Sequence, residues 1–463
     1  MVKKHIRLQF LGATGYVTGS RTLLETENTK VYIDCGLYQG PHYIEEKNYK
    51  QLETLPENID AVILTHAHID HSGLLSLLVK EGFKGDIFCT ESSGELLEIL
   101  LPDAARIQEE EYKFLSKKKL NEYSLEAPLF SEQDAFDALK LVKTIPFRKP
   151  FRYRDIELEY FWAGHILGAS YVRIRAGGNT FLFSGDIGPR YPIIHKKREN
   201  PPRSDYLIME STYGNRLHED DDYWDKMVEA VKLAVRRKGM LLIPSFAVGR
   251  TQLILYVLYA LIKHKKIPKL PIYIDSPMAT RTTRVYLKYP DEMKESVIKE
   301  HFFDFLESKD IFLIEDVNTS KRLNFFNGPG IILSASGMCN GGRILHHLYN
   351  RIWDRRNVVL FVGYQAEGTL GRRIMEGAAR IKIFGRELPI RAAIKTINAF
   401  SAHADREGLY DWVEKMEEPY PKKIFINHGE DEARSSLKKM LERKISSEII
   451  IPRSEEVFYF QSF

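Results

Sequence analysis

The sequence predicts an α/β protein of two domains, one of them built on a parallel sheet. Three observations lead there. At 463 residues the chain exceeds the roughly 250–300 at which single cores stop growing. Its first 210 residues are dominated by short apolar runs bounded by turn residues. From residue 211, strands alternate with helices of ten or more residues, the rhythm of βαβ units.

The short runs are IRLQFLG, RTLLETE, VYIDCG, AVILTH, DIFCT, IELEYFW, YVRIR, TFLFSGD and DYLIME. Their close spacing predicts antiparallel sheets. Helical pattern is confined to SGLLSLLVKEG and a charged stretch over 103–143, whose DAARIQEEEYKFLSKKK predicts solvated helices without chemistry. In the second region GMLLIPSF precedes GRTQLILYVLYALIKH, PIYIDSP precedes MATRTTRVYLKY, GIILSASG precedes GGRILHHLYNRIW, and NVVLFVGY precedes GTLGRRIMEGAA. After about residue 395 come IKTINAFSAHAD, a helix, KKIFINHGE, another helix and EIIIP. No repeat or Pro/Gly-rich linker marks these changes. The expected domains, 1–210, 211–395 and 396–463, therefore rest on pattern alone.

Composition excludes several classes. With 44% hydrophobic and 28% charged residues the chain is globular, not disordered. A net charge of +4 permits a polyanionic partner without demanding one. Cys35, Cys89 and Cys339 are far apart, which excludes a disulfide framework or thiolate zinc finger and suits a reducing cytosol. The start MVKKHIRLQFLG lacks a signal-peptide core, and LILYVLYALI at 253–262 is too short to span a bilayer. A cytoplasmic protein without membrane contact is expected, with a nuclear site left open.

The fragment THAHIDHSG, 65–73, crowds His66, His68, Asp70 and His71 behind an apolar strand. His66 and His68 are two apart on extended chain and can converge on one point. Asp70 and His71 are neighbours whose side chains diverge, so two ions a few ångströms apart fit better than one. Nitrogen and carboxylate donors without thiolate suit catalytic zinc, with manganese or iron also compatible. Asp70 or Ser72 capping the next helix is the plainer alternative. His165 in WAGHILGAS, Asp186 in FLFSGDIG and His428 in FINHGE each follow an apolar strand, where loops carry function on a rigid scaffold.

HAHIDHSG resembles the HxHxDH signature of the metallo-β-lactamase superfamily, and Asp34, His165 and Asp186 match its other motifs in order. The second half resembles the β-CASP branch of nucleic-acid hydrolases: Glu210 in MESTYG matches motif A, His403 in FSAHAD motif B and His428 motif C. The resemblance runs over about 6–452. It implies an αββα sandwich interrupted by an inserted β-CASP domain. It also implies two Zn²⁺ ions, one on His66, His68 and His165, the other on Asp70, His71 and His428. Asp186 would bridge them, and Asp34 would orient ligands from behind.

A two-metal hydroxide attacks carbonyls or phosphodiesters alike, so the inserted domain must choose the substrate. There ILSASGMCNGGR (332–343) and GYQAEGTLGRR (363–373) are strand-to-helix loops able to accept phosphate, with Arg250, Arg281 and Arg284 near other junctions. Ser334, Ser336, Gly337, Arg343 and Arg372 are the substrate-binding candidates. The resemblance makes His403 the general acid for a leaving 3′-alkoxide and Glu210 its hydrogen-bond partner. Asp34 and Asp70 join them as catalytic candidates. Because histidine stands at motif C, where the DNA-repair branch usually has valine, RNA is the implied substrate. The expectation is an endonucleolytic ribonuclease of RNA processing or decay, leaving 5′-phosphate and 3′-hydroxyl ends. A small-molecule (thio)ester hydrolase and a non-catalytic RNA-binding subunit are the alternatives, and a homodimer stands open beside a monomer.

Overall fold

The computed structural model describes residues 5–118, 127–218, 222–363 and 365–462. Within the charged stretch the helices are Glu91–Lys118 and Glu132–Lys140. Residues 119–126 of that stretch, and Tyr364 of the second glycine-rich loop, lie outside the described residues.

Two compact units emerge, Met1–Leu217 together with His403–Phe463, and His218–Ala402. Both changeovers fall a few residues past the boundaries expected from pattern. Ser211 stays with the first unit because its N–H donates to His428 O (2.9 Å) and its hydroxyl to Asn427 O (2.9 Å). Ala393–Ile397 ends the second unit as a strand paired in parallel with Val358–Val362.

The first unit holds two seven-stranded sheets. One runs Val457–Gln461, His5–Phe10, Thr22–Glu25, Lys30–Ile33, Ala61–Ile63, Asp86–Cys89, Val142–Thr144. The other runs Glu448–Ile450, Lys423–Ile426, Tyr206–Met209, Asn179–Phe183, Ser170–Ala176, Ile156–Trp162, Phe151–Tyr153. Leu8, Phe10, Ile33, Ile63 and Phe88 from the first meet Leu158, Tyr160, Val172, Phe181 and Phe425 from the second in one core. Burying each such side chain is worth about 1.5–3 kcal/mol. Helix Asp431–Glu442 packs on strands of the second sheet, and Glu91–Lys118 packs beside Val142–Thr144 of the first.

The expectation of antiparallel sheets holds for only half of each. Lys30–Ile33, Ala61–Ile63, Asp86–Cys89 and Val142–Thr144 pair in parallel, as do Asn179–Phe183, Tyr206–Met209, Lys423–Ile426 and Glu448–Ile450. The reason lies in the connections. Helix Leu75–Lys80 joins Ala61–Ile63 to Asp86–Cys89, and such a crossover returns the chain to the same end of the sheet.

The second unit carries the expected parallel sheet, six strands in the order Ile311–Ile314, Ile272–Asp275, Gly330–Ser334, Met240–Pro244, Val358–Val362, Ala393–Ile397. The central strands are buried along their whole length, as a sheet covered on both faces requires. Helix Pro277–Lys288 starts where its chemistry predicts, with the Ser276 hydroxyl accepting from Ala279 N–H and proline in the first turn. A hairpin, Arg380–Ile383 with Arg386–Pro389, was not anticipated. Its turn residues Phe384 and Gly385 both have positive φ, the tight-turn geometry that an Asn-Gly pair would have advertised. Among the described residues no helix is long and apolar enough to cross a membrane.

Candidate metal centre

Asp34, His66, His165, Asp186, Glu210 and His428 all sit in the first unit, each just past a strand of the two facing sheets. Three donor sets result. His66, His68, His165 and Asp186 form the first; Asp70, His71, Asp186 and His428 form the second; Asp186, Glu210 and His403 form the third. The first two hold most of the histidines.

In the first set, His68 Nδ1 lies 3.1 Å from His66 Nε2 and 3.0 Å from His165 Nε2. Asp186 Oδ2 is 3.5 Å from Nε2 of both His66 and His165. A tetrahedron with Zn–N bonds of about 2.0–2.1 Å has edges of about 3.3–3.4 Å. The donors therefore stand close to the corners such an ion requires. In the second set, His71 Nε2 lies 3.2 Å from His428 Nε2 and 3.3 Å from Asp186 Oδ1. Asp70 Oδ2 completes it, 3.6 Å from His428 Nε2 and 3.8 Å from His71 Nε2. Each oxygen of Asp186 thus faces a different set. Both are buried and neither accepts a well-formed hydrogen bond, an arrangement that cations satisfy.

The supporting contacts choose which imidazole nitrogen points inward. Asp34 is buried, with Oδ2 accepting from His71 Nδ1 at 2.7 Å and Oδ1 from Thr65 N–H at 2.8 Å. Thr65 Oγ1 contacts His66 Nδ1 at 3.1 Å, and Thr212 Oγ1 contacts His428 Nδ1 at 3.3 Å. All three turn Nε2 toward the donor set, a common device around metal ligands. The sequence reading missed Thr65 and Thr212. A hydroxyl next to a motif histidine has no spacing signal of its own.

Electrostatics agree. Burial, and then His71, push His66 well below its usual range, and burial lowers His68, a direction that favours the neutral imidazole. Burial opposes charge on Asp186, yet His71, His428 and His403 hold it well below the usual carboxylate range. His71 is pushed well above its range: burial works against it, but Asp186, Asp34 and Asp70 outweigh burial. Four buried or half-buried carboxylates here, Asp34, Asp70, Asp186 and Glu210, call for compensating positive charge. Cys35, beside Asp34, is pushed up to about 12, chiefly by burial, and offers no thiolate.

Glu210 and His403 stand against this centre. Glu210 Oε1 accepts from Ile187 N–H at 2.6 Å, and Oε2 lies 3.3 Å from His403 Nδ1. His403 Nδ1 is also 3.9 Å from Asp186 Oδ2. Burial disfavours a charged imidazole here, but Glu210 and then Asp186 push His403 up to about 10.

Three family models match the chain. The metallo-beta-lactamase superfamily covers 15–245, the Beta-Casp domain 251–374, and the Zn-dependent metallo-hydrolase RNA specificity domain 387–452. Ribonuclease TTHA0252 of Thermus thermophilus is 36% identical over 443 residues, 94% of this chain and 96% of that one. The chain belongs to the β-CASP family of the metallo-β-lactamase superfamily. The transcription termination factor FttA of Methanosarcina mazei is 32% identical, covering 96% of this chain and 70% of its own. FttA of Pyrococcus abyssi is also 32% identical, over 95% and 69%. A crystal structure of a protein of unknown function from Enterococcus faecalis shares the fold, with TM-score 0.58 at 13% identity over 98% of this chain and all of that one. Membership implies metal binding, which the first two donor sets fit.

The β-CASP unit treats its five substrate-binding candidates differently. Ser334 is buried and donates to Asp275 O at 2.8 Å. Arg343 binds Asp275 Oδ1 at 2.7 Å, Ile314 O at 3.2 Å and Glu315 O, so its guanidinium is engaged within the domain. Ser336 and Gly337 lie on the loop between Gly330–Ser334 and Ile344–Arg351. Gly337 lies so close to Phe246 that a Cβ would meet its ring at 2.9 Å. Arg372 lies one turn from Glu376, with Nε 2.6 Å from Oε1, on a partly exposed helix. Arg281 and Arg284 pair at the surface with Glu315.

Proposed function

We propose that the protein is a zinc-dependent ribonuclease that cuts RNA phosphodiester bonds endonucleolytically, leaving 5′-phosphate and 3′-hydroxyl ends, in RNA processing or decay. The observation that carries this reading is Asp186, whose two oxygens face two separate donor sets beside the Glu210–His403 pair. In this reading His66, His68 and His165 would hold one Zn²⁺ and Asp70, His71 and His428 a second, with Asp186 facing both.

When bound, such a pair supplies Lewis acidity and a source of hydroxide near neutral pH. The chain's own groups do the rest. Asp34 holds His71 Nδ1–H, keeping Nε2 available as a donor atom. Glu210 holds His403 at Nδ1, so Nε2 passes the proton to the departing 3′-oxygen, a step worth about 10²–10⁴-fold in rate. Ser336, Gly337 and Arg372, with nearby backbone N–H groups, take phosphate oxygens. Relatives named as a ribonuclease and as transcription termination factors support RNA as the substrate class. Three buried free cysteines support a cytoplasmic location. A homodimer is the assembly that sedimentation should test.

The deciding experiment gives zinc-loaded protein linear and circular RNA beside a His403→Ala variant. The reading expects circles opened by the parent protein alone, with 5′-phosphate and 3′-hydroxyl ends. A 2′,3′-cyclic phosphate product, or uncut circles, contradicts it.

A further inference from the structure

The segments after His403 and His428 start two helices, Arg406–Glu414 and Asp431–Glu442. Where these helices meet lies a groove of about 510 Å³, lined among others by Arg406, Glu432, Ser436, Lys439, Arg443 and Lys444. The lining from 432 to 443 recurs at helical spacing, so it is one face of the second helix. A solvated charged face is the ordinary explanation of such a pattern. Two features go beyond it.

First, the cations of the groove have no carboxylate partners among the described residues, whereas their neighbours do. Lys415 pairs with Asp411 (3.1 Å), Lys438 with Glu442 (3.6 Å) and Arg434 with Asp431. Lys444 instead lies over the Tyr410 ring, 4.1 Å from its centre. Four cations thus share the groove with Glu432 alone. Second, the Arg406 Nε atom is buried and makes no hydrogen bond among the described residues. A concave surface lined by one sign of charge concentrates field and attracts an anion.

Two residues that line the groove are close to the metal centre along the chain. Arg406 follows His403 by three residues and Glu432 follows His428 by four. At about 3.6 Å per residue these are spans of at most about 11 and 14 Å. Lys439 and Arg443 stand about 6 Å apart along the helix. That spreads charge along a track, which suits a repeating polyanion better than a single small phosphate.

We propose that this groove binds the phosphate backbone of the RNA a few nucleotides from the scissile bond; the proposal rests on the ribonuclease reading. The test compares two triple variants with equal loss of charge. The groove variant is Lys439→Gln/Arg443→Gln/Lys444→Gln, and the control is Lys422→Gln/Lys423→Gln/Lys438→Gln, with folding of both checked by thermal melting. Cleavage of a long single-stranded RNA is followed as a function of salt. The groove variant should raise KM roughly tenfold or more and flatten the slope of log affinity against log salt by about 2, at about 0.7 per lost contact. The control should match the parent protein. Equal behaviour of the two variants overturns the groove while leaving the ribonuclease reading standing. A parent protein that cuts no RNA removes that reading itself, and the groove's assignment with it.

Discussion

Replacing Asp34 with asparagine should weaken one of two metal-binding steps by about 10–100-fold and largely spare the other. The carboxylate accepts from Thr65 N–H at 2.8 Å, Thr65 Oγ1 at 3.0 Å and His71 Nδ1 at 2.7 Å. Asp34 has φ +61°, a left-handed conformation that asparagine adopts readily, so the variant isolates hydrogen bonding from backbone strain. Its amide oxygen can still serve Thr65 N–H, but its NH₂ then meets His71 Nδ1–H donor to donor. The conflict is relieved if the imidazole moves its proton to Nε2, the atom 3.2 Å from His428 Nε2 and 3.3 Å from Asp186 Oδ1. That proton would then sit on the atom needed as a donor. Losing such an outer partner typically costs 10–100-fold in affinity, about 1.4–2.7 kcal/mol. The first donor set reaches Asp34 only through Thr65, whose hydroxyl is 3.1 Å from His66 Nδ1. Stepwise zinc titration of metal-stripped protein against a competing chelator resolves the two steps. Unchanged affinities at both would refute the proposed role of Asp34.

Two further predictions concern the acid and the inserted domain. His403→Ala should lower kcat by about 10²–10⁴-fold with zinc content unchanged by elemental analysis; loss of zinc would instead make His403 a ligand in the third donor set with Asp186 and Glu210. Asp275→Ala should cost about 3–5 kcal/mol in the thermal stability of the β-CASP unit, because it strips a buried carboxylate from Arg343 (2.7 Å), His347 (2.6 Å) and Ser320 (2.7 Å), and an unchanged melting point would contradict this. Burial opposes charge on Asp275, but the bonds from His347, Ser320 and Arg343 hold it below its usual range. A depressed folded pKa means this stabilisation is present above the unfolded value near 4 and is lost as pH falls through the folded one. The parent protein's melting point should accordingly show an acid-side decline that Asp275→Asn lessens.

The donor cluster was legible because one turn of chain feeds both sets: His66 and His68 belong to the first, Asp70 and His71 to the second. His428 is different. It lies 357 residues from His71, and it is placed by the parallel pairing of Lys423–Ile426 with Tyr206–Met209 and by its N–H donating to Ala13 O (3.0 Å), long-range contacts that no local pattern reports. Only the order of motifs suggested it. Apolar runs located the strands, yet their direction depended on short crossovers such as Leu75–Lys80 that a strand-rich reading undervalues. The arginines were the hardest to read. A guanidinium in a glycine-rich loop looks the same in sequence whether it awaits a phosphate or, like Arg343, is held by Asp275. Conversely, the cations of the 406–444 groove are scattered over two ordinary amphipathic helices and the turn after the second, and only packing gathers them.

The central claim, one carboxylate between two ions, is tested most directly by metal analysis together with X-ray absorption at the zinc edge of active protein. The account predicts two zinc ions per chain, coordinated by nitrogen and oxygen without sulfur, with a zinc–zinc scattering path of about 3.5–4 Å. A single ion per chain in fully active protein, or a spectrum with no metal–metal path, would contradict it.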